Sequence, residues 1–226
     1  MTMRQLKAMM LAAVASLTCS AAHAEAALET SNFAKEAPAP AAAANAAPTG
    51  KELFNKVYNL VFGPQGSTLQ YKVNIIGLYK TQGTITYKGK KIHYNEPRYM
   101  AWEDGVTAYM LDKKKKEVNI YDYDDDKKDQ YLSKFKYDVN NFDFSYTTEG
   151  DYYLVKAKLK KSTLFGIKYV EAKVDKTTLY PISMKIKIAF FSTTVQINNF
   201  RAGKISDSNF VFPKAKYADY KVIDHR

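Results

Sequence analysis

Large apolar side chains fall on alternate positions through most of this chain. Leu69, Tyr71, Val73 and Ile75 alternate with Gln70, Lys72 and Asn74. A period of two puts one set on each face of a strand. The same alternation returns at 82–88 through Ile85 and Tyr87, and at 91–95 through Ile92 and Tyr94. Strands at 99–102 and 106–111 flank Glu103-Asp104-Gly105, a hairpin signal. Lys113 to Lys116 makes the next turn, before a strand at 117–121. Further strands are predicted at 143–148, 152–160, 166–174, 180–191 and 193–200. Phe210 and Phe212 close the series, and 221–224 adds an edge. About eleven strands joined mostly by short turns predict an antiparallel meander, with no internal repeat.

Two stretches break the period. At 51–62, Phe54, Val57, Tyr58 and Val61 recur at helical spacing and Gly63-Pro64 ends the run. At 129–141, Tyr131, Leu132, Phe135 and Val139 do the same. The first predicts an amphipathic helix and the second a short helix laid across the sheet as a lid.

The strand around residue 186 defines the faces. Ile182, Met184, Ile186, Ile188 and Phe190 point one way, while Lys185 and Lys187 point the other. Tyr153, Val155, Ala157 and Leu159 oppose Lys156, Lys158 and Lys160 in the same fashion, and Val195 and Ile197 continue the dry side. One face is therefore dry and the other studded with lysine. Two short helices are thin cover for so wide a dry face, so the sheet is expected to curl into an open or closed barrel with helices at its mouth. Such a barrel either fills with its own side chains or holds a ligand. A transmembrane barrel would turn an apolar face outward, which whole strands of lysine oppose. At 106–111 both parities are apolar, which implies covering on both sides there.

The first residues read as an address. Arg4 and Lys7 precede an apolar run from Ala8 to Ala22, and Ala22-His23-Ala24 is a small-x-small cleavage pattern. Residues 1–24 are read as a signal peptide cut after Ala24. Residues 25–50, mostly Ala and Pro, make a flexible linker. Residues 51–226 make one β domain. Cys19, the single cysteine, leaves with the signal, so the mature chain has no disulfide and no thiolate chemistry. Net charge is +11, and because residues 1–50 hold three basic and three acidic groups the excess belongs to the domain. In an exported protein it points to anionic lipid, acidic protein or polysaccharide. No nucleic-acid-binding motif is present.

Catalytic signals are sparse. His93 and His225 are the only histidines past the leader, and no zincin, nucleophile-elbow, P-loop or dinucleotide motif occurs. Asp122-x-Asp124-x-Asp126 opens like a calcium loop, but Lys127 and Ser133 stand where Gly and Glu are required. That stretch reads as a solvated turn. No metal, cofactor or catalytic residue is expected.

Several segments together resemble the periplasmic outer-membrane lipoprotein carrier family (LolA-like). They are Gly83-Thr84-Ile85-Thr86-Tyr87-Lys88-Gly89, Ile92-His93-Tyr94, and Trp102 through Tyr109 with Asp104-Gly105 at its turn. Glu117-Val118-Asn119-Ile120, Leu179-Tyr180-Pro181-Ile182, Phe210-Val211-Phe212-Pro213 and Val222-Ile223-Asp224 follow in family order. The resemblance spans 51–226. It implies an unclosed antiparallel barrel with a helical lid over an apolar cavity. There acyl chains of lipoproteins bind after release by an inner-membrane ABC transporter, and an outer-membrane acceptor takes them on. It places Ile92 and Tyr94 at the cavity mouth and Tyr131, Leu132 and Phe135 on the lid. The family's lid-latching arginine falls near Gly89, where this chain offers Lys88, Lys90 and Lys91, which lack arginine's planar fork.

With the parity argument, the lipid-binding set is Val73, Ile75, Ile85, Tyr87, Ile92, Tyr94, Trp102, Tyr109, Leu132, Phe135, Ile182, Met184, Ile186 and Ile188. Tyr71, Tyr87, Tyr109, Met110 and Met184 would suit irregular chains. The expectation is a monomeric periplasmic carrier of lipoproteins or a related lipid, not an enzyme. A filled barrel acting as an envelope interaction module through its basic face, and a carboxylate hydrolase of envelope glycans, are the rival readings.

Overall fold

The structure, a computed structural model, describes residues 47–75, 79–123, 139–161 and 167–226. Helix α1 (Gly50–Phe62) comes first. Thr49 caps it: its hydroxyl accepts from the Glu52 amide at 3.2 Å while Glu52 accepts the Thr49 amide at 2.7 Å. This reciprocal box satisfies two donors that the helix end leaves over. At the other end Pro64 cannot continue the helix, and the Gly63 amide closes on the Asn59 carbonyl at 2.9 Å.

Twelve strands form one sheet: β1 (Ser67–Ile75), β2 (Tyr79–Lys88), β3 (Lys91–Asn95), β4 (Tyr99–Glu103), β5 (Thr107–Asp112), β6 (Glu117–Asp122), β7 (Phe142–Glu149), β8 (Tyr152–Leu159), β9 (Ile167–Asp175), β10 (Pro181–Ile188), β11 (Phe191–Ala202) and β12 (Lys221–Asp224). Their order is β12-β6-β5-β4-β3-β2-β1-β11-β10-β9-β8-β7. Two antiparallel meanders, β1 to β6 and β7 to β11, meet where β1 pairs with β11. The sheet is unclosed, with β12 and β7 as its edges.

Three sequence expectations change. β12 does add an edge, but it runs parallel to β6, with Val222 beside Val118. Phe210 ends a 3-10 turn (Asp207–Phe210), and Phe212 lies outside any strand. The segment leaves the sheet because its job is to cover: Phe212 lies flat on Tyr109 (4.5 Å, 8°) and edge-on to Trp102 (5.3 Å). Phe190 does not extend the β10 stripe. The chain turns at Ala189-Phe190, and the Phe190 ring is 83% exposed. The expected lid at 129–141 lies outside the described residues except for its end, where Val139–Asn141 makes a 3-10 turn.

Register fixes which side chains share a face. Tyr87 stands opposite Ile92, and Ile85 opposite Tyr94. Met184 faces Val195 and Ile186 faces Val170. These side chains lie on the face that carries α1, called here the helix face. Leu53 and Val57 of α1 pack with Val155 and Val174, and Val61 joins the cluster of Leu69, Tyr71 and Tyr87. Gly50 makes the seat possible, because a Cβ there would lie 2.7 Å from the Ser145 backbone. Across β4 to β6 the opposite, outer face is also apolar. Met100, Trp102, Leu111 and Val118 lie there under Tyr217, Phe212 and Tyr220. Covering on both sides thus accounts for the double parity at 106–111. Among the described residues no helix is long and apolar enough to cross a membrane.

Candidate functional site: the apolar helix face

The helix face gathers most of the sequence-nominated residues. Val73, Ile85, Tyr87, Ile92, Tyr94, Ile186 and Ile188 belong to one buried cluster, and Met184 packs against it. Tyr71, Leu69, Val170 and Val195 complete it. Phe62 of α1 meets Tyr87 edge-on at 4.9 Å, so the helix end rests directly on this face.

Two nominees turn the other way. His93 faces Trp102 across β3 and β4, and Trp102 faces Tyr109 across β4 and β5. Trp102 and Tyr109 therefore lie on the outer face, one residue out of step with Ile92 and Tyr94. The antiparallel register sets this: Ile92 pairs with Glu103 and Tyr94 with Ala101, so the even residues of β4 point away. Ile182 sits at the irregularity between Pro181 and Ser183 and is half-buried. Leu132, Phe135 and the side chain of Ile75 lie outside the described residues. Lys88 and Lys91, two of the three lysines around the resemblance's latch position, both hold Asp207 of the C-terminal segment, at 3.2 and 2.9 Å. Lys88 also donates to the Ile205 carbonyl at 3.1 Å.

The dry face carries a polar inset that the pattern did not reveal. Glu96 follows β3 and is buried at 3% exposure. Its carboxylate accepts the Tyr71 phenol, which reaches it across Gly83. A Cβ at Gly83 would stand 2.6 Å from the Asn95 carbonyl and 3.0 Å from the Tyr71 hydroxyl, so only glycine leaves the passage. Glu96 falls between the strands predicted at 91–95 and 99–102, where no pattern singles it out. The available signal was Gly83 inside a strand, which often marks a close approach. Glu103, opposite Ile92, is a second buried carboxylate. Burial pushes the Tyr87 phenol far above its ordinary value, and the Glu103 charge adds to the shift.

Glu96 and Glu103 stand apart along the sheet. Glu103 stands beside Ile92, four residues from Glu96 along β3, about 13 Å of strand. Glu96 also leans toward β1, away from β4. On the outer face, burial lowers the His93 pKa, and its ring stacks on Trp102 at 4.8 Å. It packs as a neutral aromatic. Among the described residues no three His, Cys, Asp or Glu side chains converge as metal ligands.

No family model matches the chain, and no curated protein matches it. Solved structures do resemble it. A conserved protein of Thermus thermophilus, described as uncharacterized, superimposes with a TM-score of 0.52 at 8% identity, covering 77% of this chain and 98% of that one. A LolA superfamily protein of Nitrosomonas europaea aligns with a TM-score of 0.38 at 7% identity, over 74% of this chain and 99% of its own. A putative outer membrane lipoprotein-sorting protein domain of Vibrio parahaemolyticus aligns with a TM-score of 0.38 at 9% identity, over 74% and 97%. The class is thus a mainly β protein built on an unclosed, antiparallel-dominated sheet with few helices. The unclosed antiparallel sheet is the part of the resemblance's architecture that these residues bear out.

Proposed function

We infer that this protein is a carrier of the bacterial envelope, which takes acyl chains of a lipoprotein or a related lipid onto its helix face and releases them toward the outer membrane. The observation that carries the reading is one largely apolar face, running from Tyr94 on β3 to Val170 on β9 around the Tyr71–Glu96 inset, closed in part by a helix whose own buried side is apolar. Leu53, Val57 and Val61 make hydrocarbon contacts that an acyl chain can replace in kind. A buried methylene contributes about 0.8 kcal/mol, so partial burial of one chain gives micromolar binding or better. Full burial of several chains would approach the ceiling near 18 kcal/mol and prevent release. A cover that competes with its ligand keeps binding within the useful range.

The chain then acts by binding and not by catalysis, with residues 1–24 exporting it to the periplasm and 25–50 as its tether. Supply by an inner-membrane transporter and delivery to an acceptor belong to the same proposal. Native mass spectrometry of the exported protein is expected to find acyl-bearing cargo, displaceable by lipid in competition with an apolar fluorescent probe. Cargo-free protein that takes up neither probe nor lipid would refute the reading.

A further inference from the structure

The two-residue turn between β10 and β11 presents an aromatic ring to solvent. Ala189 is held at φ 47°, as Lys116 and Leu179 are at 54° and 60° in the β5–β6 and β9–β10 turns, and here the Lys187 ammonium donates to the Phe190 carbonyl at 2.9 Å. The turn thus presents Phe190 outward, 83% exposed, edge-on to its half-buried neighbour Phe191 at 5.9 Å. A lone exposed ring is ordinary. Its surroundings are what set it apart. On the outer face behind it run Lys187 and Lys185, and Lys187 continues through Tyr169 to Lys158. Lys185, Lys158, Lys160 and Lys161 are exposed. Asp143 faces Lys158, and Glu171 is held by Lys156 at 2.7 Å, which leaves the patch strongly positive. The other exposed apolar hairpin tip, Val106 at 73%, is aliphatic, and its amide donates to the Asp104 carboxylate.

An aromatic tip backed by lysines matches the boundary of an anionic bilayer, where a ring enters the acyl layer and ammonium groups meet head groups. We propose that the β10–β11 hairpin docks this protein on anionic phospholipid membrane, with Phe190 as the inserted wedge and Lys158, Lys185 and Lys187 as head-group contacts. The hairpin lies at the end of the sheet opposite the Gly63–Gly66 turn that follows α1, beside Ile188 and Phe191 of the helix face. Docking would therefore bring the bilayer to the end of that face remote from the end of α1. The inference goes beyond cargo binding and stands whether or not the face carries acyl chains.

The test is vesicle flotation of the exported protein with phosphatidylglycerol–phosphatidylethanolamine vesicles and with neutral phosphatidylcholine vesicles. Variants with the same N-terminus isolate the hairpin. Wild type is expected to bind anionic vesicles and to lose binding at high salt. Phe190→Ser, at a fully solvated site, should weaken binding about ten-fold with the thermal midpoint unchanged. The Lys185→Glu, Lys187→Glu pair should weaken it at least about twenty-five-fold, about five-fold for each lysine. Equal binding to neutral vesicles, or no binding to anionic ones, would overturn the proposal. Loss in the lysine pair with full binding in Phe190→Ser would also overturn it, assigning the patch to a polyanionic partner. Probe uptake in solution is read separately, so failure of docking and failure of the carrier reading remain distinct.

Discussion

Truncating Leu53 to alanine tests the seat of α1 on the sheet. Leu53 is 2% exposed and packs with Val57, Val155 and Val174, the last of which is fully buried. The change removes three carbons, about 2.4 kcal/mol of transfer free energy. A residual cavity adds to this, since neighbours fixed in strands relax only in part, and alanine's higher helix propensity returns a few tenths. The expected loss is about 3 kcal/mol. With a urea slope near about 2.5 kcal/mol/M, the midpoint should fall by about 1.2 M. Trp102, the single tryptophan, suits the assay, because it lies on the outer face away from α1 and reports global unfolding. If α1 competes with ligand, the same variant should bind an apolar probe more tightly. An unchanged midpoint together with unchanged probe affinity would refute the packing on which this reasoning rests.

Two further outcomes follow from the geometry. Asp112 anchors the β5–β6 turn: burial opposes its ionisation, but the Arg98 guanidinium at 2.8 Å and the amides of Lys114 and Lys115 at 2.9 and 3.1 Å outweigh it and hold its pKa below the usual value. Asp112→Asn should cost about 2 kcal/mol at pH 7. Because the folded value is depressed, this contribution is present above the unfolded value near about 3.9 and is lost as pH falls through the folded one. Urea titrations of the two proteins should therefore converge as pH falls below the unfolded value. Gly83→Ala should cost about 2 to 3 kcal/mol by calorimetry, since the new methyl meets the fixed Asn95 carbonyl at 2.6 Å. A thermal midpoint within about 1 °C of wild type would contradict that clash.

The fold was legible where one rule dominates. Alternation marked the strands that have one dry face, and helical spacing ended by Gly63-Pro64 marked α1. The lysine parity of β8 and β10 identified the wet side. Legibility failed where a second partner intervened. Trp102 and Tyr109 read as lining because a strand covered on both faces has no polar parity to orient it, and only the pairing of Ile92 with Glu103 decides. Phe212 read as strand because an apolar residue between turns looks the same whether it joins a sheet or lies on one. Phe190 followed the β10 stripe by parity, yet it belongs to the turn, which the sequence marks with neither glycine nor asparagine. The Tyr71–Glu96 contact joins β1 to the residue after β3 across the glycine of a third strand, beyond the reach of any local pattern.

The central claim is that the helix face is where an apolar ligand lies. Photocrosslinking the exported protein with a diazirine-bearing fatty acid, then mapping the labelled peptides by mass spectrometry, tests it directly. Saturable labelling at Val73, Ile85, Ile186 or Ile188, competed by unlabelled lipid and absent from Trp102 and Tyr109, is the predicted result. Labelling confined to the outer face, or none that saturates, would contradict the account.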